Sequence, residues 1–504
     1  VLGTTTEASR FLAQSTFGAK RSETTRLISI GYDQWLSEQF NTDFTSLVKR
    51  LGCSGQPTAA DRQEAFFHTA VESDDQLRQR VAYALGQIFG VTDRVLNPNK
   101  STLGLARFHG TLAAHAFGNF RDLLEAAILH PLMGEQMGML RNEKTNTVTK
   151  IRADESFARN LLERFTIGKF ELEIDGTQTA PGRILTFDQA DIEQLTRVFT
   201  GWNYAGSPGW QSTHRNYFDP MQADEFFHDT SAKTIIGGTV LLAGQTAEED
   251  LDQALDVLFA HDNVAPFISR QLIQQLVTSN PSPAYLARVA TVFNSDENGD
   301  RGNLAAVIRA ILLDEEARTG HVNATLPNFG KLREPLLRQI LLWRTFSASA
   351  QNDRHAYDNS ELDFAQGFQR AAAANGFFKL DYSQPGAVAA AGLVSPEFQV
   401  FTEATAVTAT NRLFDSVLVN NALLTAPSPG DVILDLGFET TLAGQPGNLV
   451  SHLDQLLMGG QMSPVMRSIL IDLVIDTPLS ASGIERVTEA IFAIVTSPEF
   501  AVQR

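Results

Sequence analysis

Apolar residues recur along most of this chain three and four positions apart, the spacing that gathers them on one side of an α-helix. Residues 7–19 place Ala8, Phe11, Leu12 and Ser15 on one face. Ser22 and Glu23 open a second helix, Gly31 stops it, and residues 34–40 turn Trp35, Leu36 and Phe40 inward. The same period runs through 74–89, 103–117, 120–129, 154–167 and 188–199, then through 248–259, 265–276, 284–293, 304–313 and 331–346. After Ala404, Val407, Leu413, Phe414 and Val417 keep it, and 449–457, 464–475 and 483–496 supply the last helices. The pattern predicts a mainly α, compact multi-helix fold, with helices well above half of the chain.

Strand signals are few and local. Residues 169–174, the Asp175-Gly176 turn and 183–186 read as one hairpin, and 233–236, Gly237-Gly238 and 239–242 as a stronger one. Residues 169–246 therefore read as an irregular insertion that confines the β structure. Its middle, 202–227, is rich in aromatic residues, Gly, Asp and Asn, a composition shared by ordered loops that carry binding sites and by plain surface excursions. The low-charge, Gly-, Pro- and Thr-rich stretch 423–447 reads as a hinge. Four parts follow: N-terminal helices 1–168, the insertion 169–246, central helices 247–422, and a C-terminal linker with helices 423–504. Ser395-Pro396-Glu397-Phe398 recurs as Ser497-Pro498-Glu499-Phe500, and both copies read as helix starts, with Ser as cap and Pro in the first turn.

With 504 residues, 43% of them hydrophobic, the chain can bury a large core. A net charge of -18 argues against nucleic acid and against anionic lipid surfaces, which need basic patches. No apolar run approaches the roughly 20 residues a membrane helix requires, so no membrane insertion is expected. The single cysteine, Cys53, cannot form an internal disulfide. The chain starts at Val1 without an initiator methionine, which suits a processed mature terminus or a trimmed one.

Several separated motifs together resemble the bacterial family with domain of unknown function 1800. They begin with residues 10–18 (Arg-Phe-Leu-Ala-Gln-Ser-Thr-Phe-Gly), Gly31-Tyr32-Asp33-Gln34-Trp35-Leu36, 115–124, and Leu129-His130-Pro131-Leu132-Met133. They continue with 155–168, Arg197-Val198-Phe199-Thr200-Gly201-Trp202, Arg301-Gly302-Asn303-Leu304 with 309–314, 392–398 and 497–504. The resemblance spans almost the whole chain and implies a single family unit over 1–504. It also implies export, hence an extracellular, periplasmic or cell-surface setting. A further implied partner is a protein with domain of unknown function 1501, a family resembling alkaline phosphatases and sulfatases. The central motif departs from the family pattern: Glu-Asn-Tyr-Ala-Arg-Glu is expected where Glu155-Ser156-Phe157-Ala158-Arg159-Asn160 stands, so Asn160 replaces an acidic position.

Glu155, Arg159 and Glu163 lie at i, i+4 and i+8, the spacing of a Glu-Arg-Glu ladder on one helix face. The ladder reads either as structural or as the wall of a cleft, where Arg159 would hold an anionic group and a carboxylate, with His115 beside it, would act as general acid or base. His115, His130 and His228 fall within family motifs and, with Glu155 or Glu163, could supply imidazole and carboxylate ligands to a divalent metal. Structural hydrogen bonds are the other reading of each. Asp296, Asn298 and Asp300 begin like a calcium loop, but Val307 stands where the bidentate Glu belongs and Arg301 where the turn glycine belongs, which suits a helix-capping turn. Neither a phosphate-cradling glycine loop nor a Gly-x-Ser-x-Gly elbow is present. Two functions from different classes remain: a secreted enzyme acting on surface polysaccharide or another anionic substrate, and a non-catalytic surface, scaffold or assembly protein.

Overall fold

The computed structural model describes residues 3–504 except 53–55, 95, 97, 180–182, 358, 374–375 and 424–425, with backbone alone at 98–100. Cys53 thus lies outside the described residues. The fold is mainly α, about 55% helix and 5% strand. Helix starts follow local chemistry. Thr4 with Glu7, Thr58 with Asp61, and Thr246 with Glu249 each form a capping box, hydroxyl to backbone N–H one way and carboxylate to backbone N–H the other. The expected helix over 331–346 divides: Lys331–Leu332 is extended, and Pro335–Thr345 is helical because Pro335 suits a first turn and cannot continue a helix already begun.

Buried apolar side chains gather in two cores. The first draws Phe11, Leu36, Leu85, Leu124, Phe165, Leu195, Leu272 and Leu312 from helices spread over the N-terminal part, the insertion and the central part. The second joins Phe66 and Phe67 of the helix Ala59–Glu72 to Trp343, Leu413, Leu453, Ile491 and Phe500. Residues expected to be a hinge belong to that second core. Val432, Leu434 and Leu436 are buried in it, and Ile433 exchanges backbone hydrogen bonds with Ser349, both 2.9 Å. Low charge and many turn residues there describe a packed strap.

Three two-stranded antiparallel pairs are found among the described residues. Trp202–Asn203 with Gln222–Ala223 and Lys233–Ile235 with Thr239–Leu241 lie in the insertion, the latter turning through Gly237 and Gly238 at φ 70° and 75°. The proposed hairpin over 169–186 reduces to single bridges, Phe170 to Leu185 and Leu172 to Gln178. The third pair lies outside the insertion: Lys331–Leu332 pairs with Val502–Gln503. It brings the C-terminal strand against the first core's helix Val264–Leu276, where Gln503 Nε2 donates to the carbonyl of Leu276 at 2.8 Å.

Of the two Ser-Pro-Glu-Phe copies, the second behaves as a helix start, with Ser497 Oγ accepting from the Phe500 N–H. The first is a 3-10 turn, Pro396–Gln399, in which Ser395 makes no such cap. Its glutamate is committed to the interior.

Candidate functional site

The central motif forms the helix Ser156–Asn160 and passes at once into a π-helical turn, Leu161–Thr166. Backbone bonds five residues apart, such as the Ile167 N–H to Leu162 O at 3.3 Å, replace the usual four, and the Thr166 hydroxyl adds a bond to Leu161 O at 2.7 Å. That widening rotates Glu163 away from the i+4 register. Arg159 therefore meets Glu155 at 3.4 Å, whereas Glu163 pairs with Lys169 at 3.2 Å, and the expected three-residue ladder is half-formed. Arg159 and Glu155 are about two-fifths exposed and share Gln189, which donates to Glu155 and accepts from Arg159. His115 is engaged on its own helix, its Nδ1 donating to the Thr111 carbonyl one turn back.

His130 and His228 are both engaged in the interior. His130 caps the helix Pro131–Met137, its Nδ1 accepting from the Leu132 N–H, and lies buried against Phe108. Burial, reinforced by the Arg107 charge, pushes its pKa down to about 3. His228 is wholly buried between Asp250, 2.9 Å from Nε2, and the Thr200 carbonyl, 3.0 Å from Nδ1, with Lys233 on the same Asp250 oxygen. Asp296 caps its own turn, accepting from the N–H groups of Asn298 and Asp300 and from the Asn303 amide, which spends its oxygens locally. Among the described residues no three His, Cys, Asp or Glu side chains converge as metal ligands.

Immediately before Glu155 the chain builds a different arrangement. Gly138, at φ 86°, ends the helix Pro131–Met137, and Arg141 takes the left-handed conformation at φ 58°, uncommon for a side chain of its size. Asn142 fixes the turn by bonding both backbone groups of Asp154, at 3.0 and 2.7 Å. The same turn is tied to the aromatic loop: the Arg141 N–H donates to Trp202 O and the Gly201 N–H to Asn142 O. A cleft of about 290 Å³ opens here, with Arg141, Glu143, Arg152 and Asp154 among its walls.

The aromatic loop orients two of these side chains, Arg141 and Glu143. Trp210 stacks on Phe227 at 4.1 Å and donates its indole N–H to Glu143 Oε1 at 2.7 Å. Arg141 is held by Asn203 Oδ1 and Ser212 O and lies over Tyr204, as does Arg215. Tyr204 and Tyr217 both donate to Glu135 Oε2, at 2.8 and 3.0 Å. Burial first, then Glu135, keeps both hydroxyls above their usual range, so they remain donors. The composition of 202–227 marks the loop in the sequence. Nothing in the sequence marks Arg141, Glu143 or Arg152, because the turn they occupy meets the loop only through folding.

A second group without a sequence signal is a buried polar seam between the cores. The helix Val264–Leu276 ends with carbonyls that need donors. Lys331 Nζ serves Gln274 O and Gln275 O, and Arg80 also donates to Gln275 O, at 2.7 Å. The seam's carboxylates are Glu397, paired with Lys331, and Glu334, which accepts from Tyr83 at 2.7 Å and Gln366 at 2.8 Å. A larger cleft of about 620 Å³ adjoins the 396–399 turn, lined by Tyr382, Phe398 and Phe401 among others.

The sequence model of the family described as Protein of unknown function (DUF1800) matches residues 10–502, nearly the whole chain, and the chain belongs to that family. Comparison with curated proteins and with solved structures finds no match.

Proposed function

We propose that this chain is an extracellular enzyme acting on anionic polysaccharide, with the 138–154 cleft as its site. The observation that supports this reading most is that two carboxylates, Glu143 and Asp154, and two guanidiniums, Arg141 and Arg152, line one cleft. Guanidiniums suit uronate or sulfate groups through planar paired hydrogen bonds. Glu155 and Arg159 follow directly on Asp154 and extend the charged run.

For a uronate, the guanidiniums would neutralise the substrate carboxylate and make the adjacent C–H acidic. Glu143, oriented by Trp210, would remove that proton. The glycosidic C–O bond would then break with formation of a C=C bond, and the departing oxygen would take a proton from water. A partner with domain of unknown function 1501 would fit the same setting by acting on ester groups of the polymer.

The test is incubation with uronate-rich and sulfated polysaccharides, following the ultraviolet absorbance of unsaturated uronate together with total reducing ends. The expected result is unsaturated product with the parent chain, loss of turnover in Glu143→Gln, and a raised KM in Arg152→Ala. Reducing ends without that absorbance would replace elimination by hydrolysis. Binding without product would leave a non-catalytic glycan-binding surface, and no binding would end both readings.

A further inference from the structure

We propose that Lys233 and Asp250 condense to an amide, a cross-link that the chain makes for itself, with His228 moving the protons. This inference concerns the insertion's hairpin and is independent of the polysaccharide site.

Folding brings an amine, a carboxyl and an imidazole together out of water. Lys233 lies on the inward side of the strand Lys233–Ile235, opposite the buried Leu241. Asp250 shares the buried face of the helix Ala247–Ala260 with Ala247, Leu251 and Ala254. His228 follows directly on the aromatic loop, and all three side chains are wholly enclosed. Lys233 Nζ lies 2.5 Å from Asp250 Oδ2, and His228 Nε2 lies 2.9 Å from the same oxygen. Arg197, which shares the Ser231 carbonyl with Lys233, is paired with Asp229. Among the described residues, then, two bases face one carboxyl.

The hydrogen bonds fix where the protons are. His228 Nδ1 faces the Thr200 carbonyl at 3.0 Å, so it carries a hydrogen. A proton must also lie between Nε2 and Asp250 Oδ2, since two lone pairs would otherwise meet there. Nζ has two acceptors, Ser231 O at 3.1 Å and Asp250 Oδ2, which use both hydrogens of an amine and leave its lone pair free. The third hydrogen of an ammonium would find no acceptor among the described residues and would leave the enclosure with an uncancelled positive charge, costly out of water. Asp250 Oδ1 is buried without a partner, a poor setting for an ionised carboxylate and a milder one for a neutral amide oxygen.

The step balances without a co-reactant. The Nζ lone pair attacks Asp250 Cγ, an N–C bond forms, and the C=O π pair moves onto Oδ1. His228 Nε2 takes a proton from the nitrogen and delivers it to Oδ2. The Cγ–Oδ2 bond then breaks, Oδ2 leaves as water, and the pair on Oδ1 restores the C=O bond. Nothing is oxidised or reduced. Holding amine and acid in contact replaces a bimolecular encounter, and their uncharged forms remove the solvation that opposes condensation in water. The bond would tie hairpin to helix across 17 positions, in a chain whose single cysteine cannot form an internal disulfide.

Mass spectrometry of the full chain, denatured after purification, tests this. The parent should be lighter than its sequence by one water. Glu248 and Glu249 lie between the two residues, so cutting after glutamate should leave the Lys233 and Asp250 fragments joined, which loss of water anywhere else would not do. Lys233→Arg and Asp250→Ala should keep the full mass and give separate fragments, and His228→Phe should close the bond at least about a hundredfold more slowly. The measurement on the parent needs no variant to fold and decides by itself. A parent of full mass, fragments that separate after cutting, or joined fragments in Lys233→Arg would each overturn the proposal.

Discussion

Lys331 Nζ lies 3.0 Å from Glu397 Oε1 with both side chains almost wholly out of solvent, a buried ion pair joining the Lys331–Leu332 strand to the 396–399 turn. Burial raises the carboxyl's pKa and the lysine opposes that rise without cancelling it. Removing one partner strands the other. We expect Lys331→Met or Glu397→Gln alone to cost about 3–5 kcal/mol in urea unfolding, and the double variant to recover a large part of the loss. Additive losses would mean that the two side chains act independently.

Arg159→Ala should behave quite differently. Its pair with Glu155 is about two-fifths exposed, so the cost should stay below about 0.5 kcal/mol. Thermal melts of parent and variant within about 2 °C of each other would agree, and a large loss would show a burial that the structure does not have.

Acidification should destabilise the fold before its carboxylates titrate. His109 and His130 are buried, and burial lowers their pKa values to about 4 and about 3. The unfolded chain binds these protons near 6.5 and the folded chain holds them off, so stability falls as pH drops from about 6.5 toward 4. The effect is of the order of 2 kcal/mol per histidine by pH 4.5 or so. Unfolding midpoints measured across that range should slope downward toward acid, and less steeply in His130→Asn.

Gly201→Ala should be among the costliest small substitutions. Gly201 has φ 87°, and a Cβ there would meet His228 Cβ at 2.8 Å and its backbone nitrogen at 2.9 Å. Strain and overlap together predict a loss of about 2–4 kcal/mol. Because Gly201 ties Asn142 to the aromatic loop, the 138–154 cleft should lose its ligand first, seen as weaker polysaccharide binding at temperatures where the fold persists.

Helical class was legible because amphipathic spacing is a local property, and so were the Gly237-Gly238 hairpin and the family motifs. What escaped was set by contacts between distant segments. The i, i+4, i+8 spacing of Glu155, Arg159 and Glu163 assumes an unbroken α-helix, and the π turn at 161–166 defeats it. Glu397 read as a favourable first-turn residue, since nothing nearby announces Lys331, 66 positions earlier (397 − 331). Arg141 looked ordinary because its left-handed backbone is imposed by Asn142, Asp154 and Trp202 acting together.

The pairing of Lys331–Leu332 with Val502–Gln503 also orders events in time. On a chain synthesised from its N-terminus, Lys331 emerges about 170 residues before Gln503 (503 − 331 = 172). Until then Lys331 has no strand partner, and the Leu276 carbonyl that Gln503 caps stays with water. Closure of a contact so distant in sequence is slow. The first core can therefore assemble early, while the seam and the cleft beside it take shape only once Val502 and Gln503 have emerged, so that this distant strand decides when the interior becomes dry.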